Sequence, residues 1–269
     1  MKTNSFPALL RRALVICVLL LPFPAFSQFW DSQTGLLQMP SGEMQKSGTF
    51  MITNNFINEH TLPQNNPWWG YNTFMYGFNI TFFSRLEISY ICVLYMGKEG
   101  VFHWPKETWG RYTNQDRHFA LRVQLFREGE FGLDWMPSVV VGVSDPYTLG
   151  LTSPKAIAER TGNGFFNRNY ICATKHFQTK IGEVGIHLGY QYNEREDLSY
   201  NAPCAGISWM PVWIQTDWLK TKTILEFDSR TINFGLIASI WKDHIEAMVE
   251  LQAMKWISAG LRYKVVLKS

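Results

Sequence analysis

QDRHFALRVQLFREGEFGLDWMPSVVVGVSDP, residues 115–146, is the stretch on which the fold turns, because it holds two alternating runs, a polar connection and a closing Ser-Asp-Pro turn. In the first run Phe119, Leu121, Val123 and Leu125 share one face, and His118, Ala120, Arg122 and Gln124 share the other, the period-two signature of a strand. In the second run Val139, Val141 and Val143 alternate with Ser138, Val140, Gly142 and Ser144, and so many β-branched residues favour a pleated surface. The pair reads as a hairpin with one aliphatic face and one polar face. In a soluble sandwich the polar face would be wet and the aliphatic one buried. In a membrane barrel the aliphatic face meets lipid and the polar face meets the lumen.

The rest of the chain decides between these. The first 27 residues carry Lys2, Arg11 and Arg12, then the apolar run ALVICVLLLPFPAF, then Ala25 and Ser27 before Gln28. This is the pattern of a secretory signal peptide over residues 1–27; the run is short for a spanning helix and is broken by Pro22 and Pro24. All three leader charges are basic, so the mature chain has equal numbers of basic and acidic side chains. The overall pI of about 8.6 therefore comes from the leader and gives no argument for nucleic acid as a partner. Cys92, Cys172 and Cys204 remain, an odd and scattered set with neither metal-ligand spacing nor a disulfide framework, and they read as small apolar wall residues. No later segment is long and apolar enough for a membrane helix, so insertion would require a closed barrel without an unpaired sheet edge.

Aromatic residues make up 15% of the chain and charged residues only 17%, low against the quarter or so usual for soluble domains. Residues 28–46, QFWDSQTGLLQMPSGEMQK, are rich in turn formers and read as a lead-in, not as a wall strand. Twelve strand candidates follow in residues 47–269, at 49–57, 71–83, 86–96, the two runs of the hairpin, 169–177, 181–192, a weak one at 204–210, then 221–228, 231–241, 245–254 and 259–267. Each sets apolar residues against polar ones. In the last four, Glu226, Asp228, Asn233, Ser239, Glu246, Glu250, Gln252, Arg262 and Lys264 oppose the apolar set. Long joins at 58–70, 97–114, 147–165 and 193–202 alternate with tight ones at 84–85 and 178–180, as expected when one barrel end carries extended loops and the other short turns. Trp135, Trp209, Trp213, Trp218, Trp241 and Trp256 fall near strand ends, where an interfacial girdle would place them. The expected fold is all-β, a single antiparallel transmembrane β-barrel of about twelve strands (range ten to fourteen) after the signal peptide.

These features together resemble the YjbH-like family of exopolysaccharide-associated outer-membrane proteins. The resemblance rests on TGLLQMPSGEMQKSGTF (residues 34–50), DRHFALRVQLFREGEF with PSVVVGVSDP, GLTSPKAIAERT (150–161), and GISWMP with ILEFDSRTINFGL, kept in that order over most of the mature chain. It implies an outer-membrane barrel of a Gram-negative cell, acting in extracellular or capsular polysaccharide export. Outer-membrane lipid, polysaccharide and polysaccharide-export proteins would be its partners. The chain departs from the family in two ways: longer members carry a further large domain, and LRYKVVLKS ends on Ser269 where a terminal aromatic is usual for assembly-machine recognition.

No nucleophile elbow, HExxH, Walker loop or dinucleotide turn is present, so neither enzymatic activity nor a cofactor or metal is expected. The histidines, among them His103, His118, His176, His187 and His244, are scattered; Ser239 or His187 would be the nominees for a barrel lipase. The charged residues Glu87, Asp116, Arg117, Arg122, Asp145, Glu183 and Glu226 form the candidate lumen set, read either as an internal salt-bridge network or as contacts to sugar polymer. Arg122 is expected to point inward and pair with Glu87 or Asp116. Trp68, Trp69, Trp104 and Trp109 are loop aromatics, for packing or for stacking on sugar rings. Two further function classes stay open at this point: a small-solute porin or outer-membrane enzyme, and a soluble periplasmic β-sandwich that binds a partner.

Overall fold

The computed structural model describes residues 30–62, 69–99, 104–146, 165–193 and 201–267; the leader, His103 and Trp68 lie outside them. Twelve strands form one closed sheet: β1 (Thr49–Ile57), β2 (Thr73–Phe82), β3 (Leu86–Met96), β4 (Tyr112–Phe126), β5 (Ser138–Ser144), β6 (Arg168–Thr179), β7 (Gly182–Tyr192), β8 (Ala202–Pro211), β9 (Leu219–Phe227), β10 (Ile232–Ile240), β11 (Ile245–Gln252) and β12 (Trp256–Val266). Each is antiparallel to its sequence neighbours, and β1 closes the barrel on β12 in the register Thr49↔Val266 to Phe56↔Ala259. The expected class and strand count are met, and the open sandwich is excluded. Closure leaves no strand edge unpaired, the condition lipid imposes.

The pleat sorts the side chains as the alternation demands. Phe119, Leu121 and Leu125 of β4 face outward and are exposed, while Arg122 is fully buried inside. Phe74, Tyr76 and Phe78 of β2 and Leu225 and Phe227 of β9 repeat the outward pattern. The weak eighth candidate is a full strand of ten residues, because pairing to β7 from Gly182↔Pro211 to Gln191↔Ala202 supplies what its own composition lacks. Likewise β4 begins three residues before the quoted stretch, with a bulge between Tyr112 and Asn114 opposite Met96 and Tyr95.

Connections differ at the two ends. Chain residues 46–49 and the close of β12 share one end with the turns at 83–85, 127–137, 180–181, 212–218 and 241–244; the other end carries the long joins 58–72, 97–111, 145–167 and 193–201 together with the short ones 228–231 and 253–255. The tight β2–β3 turn holds Phe83 and Ser84 at φ 55° and 51°, and Arg85 N–H donates back to the Phe82 carbonyl at 3.0 Å; paired positive φ values suit the twist of the flanking strands. Trp135, Trp213, Trp218 and Trp241 are exposed around this short-turn end, together with Phe83 and Phe131. Trp256 sits at the long-loop end, stacked on His60 at 3.6 Å.

Candidate functional site

The barrel is not hollow. Residues 30–46, expected only as a lead-in, run through the lumen from one end to the other, and Trp30, Asp31, Ser32, Gln33, Thr34, Leu36 to Met39 and Ser41 are each 2% exposed or less. Such an irregular segment satisfies few of its own backbone groups and must find partners elsewhere. The charged inner wall supplies them.

Gly35 bridges to Pro40, and Leu36 N–H donates to the Met39 carbonyl at 3.0 Å, which folds GLLQMP into a tight hairpin. Its tip points three amides at one carboxylate: Leu37, Gln38 and Met39 N–H donate to Glu226 at 2.9, 2.6 and 3.4 Å. The Gln38 side-chain amide donates to Glu250 at 2.5 Å. The apolar tip needs room, and wall glycines give it: a Cβ on Gly206 would stand 2.5 Å from Leu36 Cδ1, and one on Gly235 2.6 Å from Leu37 Cδ2.

Glu87 is the second anchor. It accepts from Thr34 N–H at 2.9 Å, the Thr34 hydroxyl at 2.5 Å and Gln45 N–H at 3.3 Å. Arg122 pairs with Glu87 across β3 and β4 in register, Nε to Oε2 at 4.0 Å, and its Nη2 donates to the Ser41 and Glu43 carbonyls at 2.5 and 2.7 Å. Arg122 thus points inward with Glu87 as partner; the contacts described for it do not include Asp116, and its closest ones are to the plug. Arg168 is the third anchor, binding the Asp31 carboxylate through Nε and Nη2 and the Gln38 carbonyl through Nη1 at 2.9 Å. At the short-turn end Glu43 meets Lys222 Nζ at 2.6 Å and His176 Nε2 at 3.1 Å. At the long-loop end Trp30 packs edge-on to Phe165 at 5.3 Å and against Phe166 at 5.5 Å, with Trp69 edge-on to Phe166 at 5.8 Å.

The charged set nominated from sequence therefore divides. Glu87, Arg122 and Glu226 converge on the plug. Asp145 is buried beyond the end of β5, where Asn167 Nδ2 donates to its carbonyl at 2.9 Å. Asp116 is half-buried toward the long-loop end. Glu183 occupies the inward phase of β7 but stays at the rim, bound by the Gln178 amide. Arg117 does not belong to the lumen at all: it shares the outward phase with Phe119 and Leu121 and is exposed, since odd-numbered positions of β4 face out. Asp31 and Glu43 of the plug and their partners Arg168 and Lys222 of the wall are not singled out by the sequence, because nothing local marks which charges of an irregular segment and of a polar wall face will meet. Trp69 is fully buried against Tyr71 and Tyr95, a packing role.

His187, a nominee for catalysis, links Ser208 Oγ and Thr174 Oγ1, both at 2.9 Å. A hydroxyl stands where a triad would hold an orienting carboxylate, and Gly42 N–H of the plug already donates to Thr174 at 2.7 Å. Among the described residues no three His, Cys, Asp or Glu side chains gather as a metal site. Cys92, Cys172 and Cys204 are free and buried.

Burial pushes the Glu43 carboxyl up, but Lys222 and the His176 hydrogen bond outweigh it and hold it well below the ordinary 4.5. A carboxylate with a depressed folded value adds stability that is fully present above its unfolded value and is lost as pH falls through the folded one. The short-turn end of the plug is therefore expected to loosen in acid below about pH 4. Protease accessibility of residues 41–46 against pH checks this, and Glu43→Gln should remove most of the dependence.

The plug and β1 to β7 coincide with the comparison to known families. The family model YjbH, described as exopolysaccharide biosynthesis protein YbjH, matches residues 28–202, from the plug to the first residue of β8. A search of curated proteins gives no match. With the plug, its Glu87 and Arg122 anchors and seven of the twelve wall strands inside the matched region, the chain belongs to the YjbH family of exopolysaccharide biosynthesis proteins.

Proposed function

We propose that the protein is an outer-membrane barrel of a Gram-negative cell that assists export or assembly of an extracellular or capsular polysaccharide, and that its lumen is closed at rest. The observation that carries this reading is the plug: an end-to-end segment inside a closed barrel, held by Glu87, Arg122, Arg168 and Glu226. An outward apolar face on every strand suits a lipid surround. Twelve strands alone leave a modest bore, and a plug this buried leaves little of it for solutes, so steady porin conductance is disfavoured. A polymer would pass only after the plug moves; otherwise the barrel works as an assembly or docking element beside polysaccharide-export proteins.

Two measurements test this. Membrane fractionation should leave the protein in the detergent-requiring outer-membrane fraction; release by carbonate alone would end the reading. Loss of the protein should reduce surface polysaccharide staining. Arg122→Leu separates structure from polymer contact. It should lower the temperature at which heat-modified gel mobility is lost and leave staining per folded molecule unchanged, since both plug bonds of Arg122 go to backbone carbonyls; a staining loss with folding intact would assign Arg122 to the polymer.

A further inference from the structure

The outer wall carries almost no charge. At outward-facing positions of the described strands only Lys175 and Arg117 are ionic. Lys175, toward the short-turn end, is paired with Glu128 at 3.0 Å. Arg117 has no carboxylate partner among the described residues. With the Gln115 amide oriented to satisfy both neighbours, Arg117 Nε and Nη2 donate to its oxygen at 2.8 and 3.1 Å, and its nitrogen meets the Tyr76 hydroxyl. That uses two of the five guanidinium N–H groups.

Arg117 also ends a row. Asn54↔Tyr76, Tyr76↔Cys92 and Cys92↔Arg117 are in register across β1, β2, β3 and β4, all in the outward phase, with Cys92 buried between its neighbours. The row sets the polar side chains Asn54, Tyr76 and Arg117, with Cys92 between the last two, across four adjacent strands of a largely apolar wall. Its height explains how it is tolerated. Phe119, Leu121, Val123 and Leu125 lie between Arg117 and the short-turn end, and eight residues of strand tilted by ~45° rise ~19 Å. The apolar band of such barrels is ~25 Å tall. Arg117 thus stands near the upper margin of the band, where a lipid-facing arginine costs little and where lipid phosphates reside. Two apolar grooves share Asn54 and Tyr76: one is lined by Phe50, Ile52, Phe78 and Tyr90, the other by Phe56, Phe74, Ala259 and Leu261.

We propose that this row binds a phosphorylated glycolipid of the outer leaflet, with the phosphate on Arg117 and acyl chains in the grooves beside Asn54 and Tyr76. The choice of glycolipid rests on the outer-membrane reading above, which puts the long-loop end outside; the phosphate preference rests on the guanidinium alone. Planar, multi-donor recognition of phosphate is what arginine does best.

Native mass spectrometry of the purified full-length protein in detergent tests it, using bis-phosphorylated lipid A, dephosphorylated lipid A and phosphatidylglycerol as probes. Retention of the bis-phosphorylated form is expected to fall about tenfold in Arg117→Gln, to the level of the dephosphorylated probe. Arg117→Lys keeps the charge without the planar fork and should retain an intermediate level, above Arg117→Gln and below the parent; native heat-modified mobility guards against a folding artefact. Undiminished binding by folded Arg117→Gln would overturn the site. Equal retention of phosphatidylglycerol would overturn the glycolipid assignment, and a lipid-free dimer abolished by Arg117→Gln would make a second copy the occupant instead. Because binding is read in detergent, mislocalisation on fractionation with binding intact would sink the outer-membrane reading and leave the phosphate site standing.

Discussion

Glu226→Ala is expected to turn a silent barrel into a conducting one in planar bilayers. Three plug amides converge on that carboxylate, within 2.6 to 3.4 Å, in a site with 2% exposure. Alanine leaves those donors buried without an acceptor, at about 1 to 3 kcal/mol each. Relief of repulsion among Glu226, Asp228 and Glu250 offsets part of this, so the net loss of plug docking is about 3 kcal/mol, a factor of roughly 100 in the docked-to-undocked ratio. The barrel wall should survive, because the Glu226 side chain adds only one described bond to the wall, from Asn233 Nδ2 at 3.3 Å, beside the backbone pairing of β9 with β8 and β10. Discrete openings in Glu226→Ala, absent from the parent protein, are the expected record. A variant as silent as the parent, with native heat-modified mobility, would show that the plug does not depend on this anchor. Shortening the tip by Gln38→Ala should act in the same direction and more weakly, since it removes one bond to Glu250.

Arg168→Met is expected to cause the largest loss of stability from a single wall substitution. Its guanidinium joins Asp31, the Gln38 carbonyl and Gln191 Oε1 inside the barrel, and both members of the ion pair are buried. Removing the cation strands the Asp31 carboxylate with the Ser144 hydroxyl as its remaining described donor, at 2.7 Å. Breaking one side of a buried pair costs about 3 to 5 kcal/mol, which corresponds to a fall of about 10 °C in a chain of this size. The double variant Asp31→Asn with Arg168→Met removes the orphaned charge and should recover more than half of the loss. Equal damage in the single and double variants would mean that packing, not charge, is what Arg168 provides.

Both experiments concern a segment whose role its own sequence does not disclose. Alternation in DRHFALRVQLF and PSVVVGVSD determined the strand type, the outward face and the inward direction of Arg122, because a pleated chain must put successive side chains on opposite sides. The same local rule, repeated along the chain, determined twelve strands, and the absence of any apolar helix-length run left closure as the way to satisfy edges in lipid. Errors at this level were of extent: β8 and β4 are longer than their composition indicates, since cross-strand pairing carries residues of low strand propensity. Arg117 differs in direction: its charge groups it with the lumen set, yet its odd number places it with Leu121 on the outward face, and the pleat, not the charge, decides where it points.

The plug is different in kind. TGLLQMPSGEM has neither period, and its hydrogen bonds go to Glu87, Arg122, Thr174 and Glu226, residues 53 to 189 positions away for Thr34 with Glu87 and Leu37 with Glu226. No local propensity encodes partners at such separations. Glycines 206 and 235 are equally mute in sequence, where they read as weak points of a strand; only the closed barrel shows Leu36 and Leu37 occupying the space they vacate. The sequence by itself determined the wall, because a wall is made of short-range alternation. Tertiary structure alone decided that the lumen is filled, since an irregular segment takes its shape from the charges that satisfy its backbone.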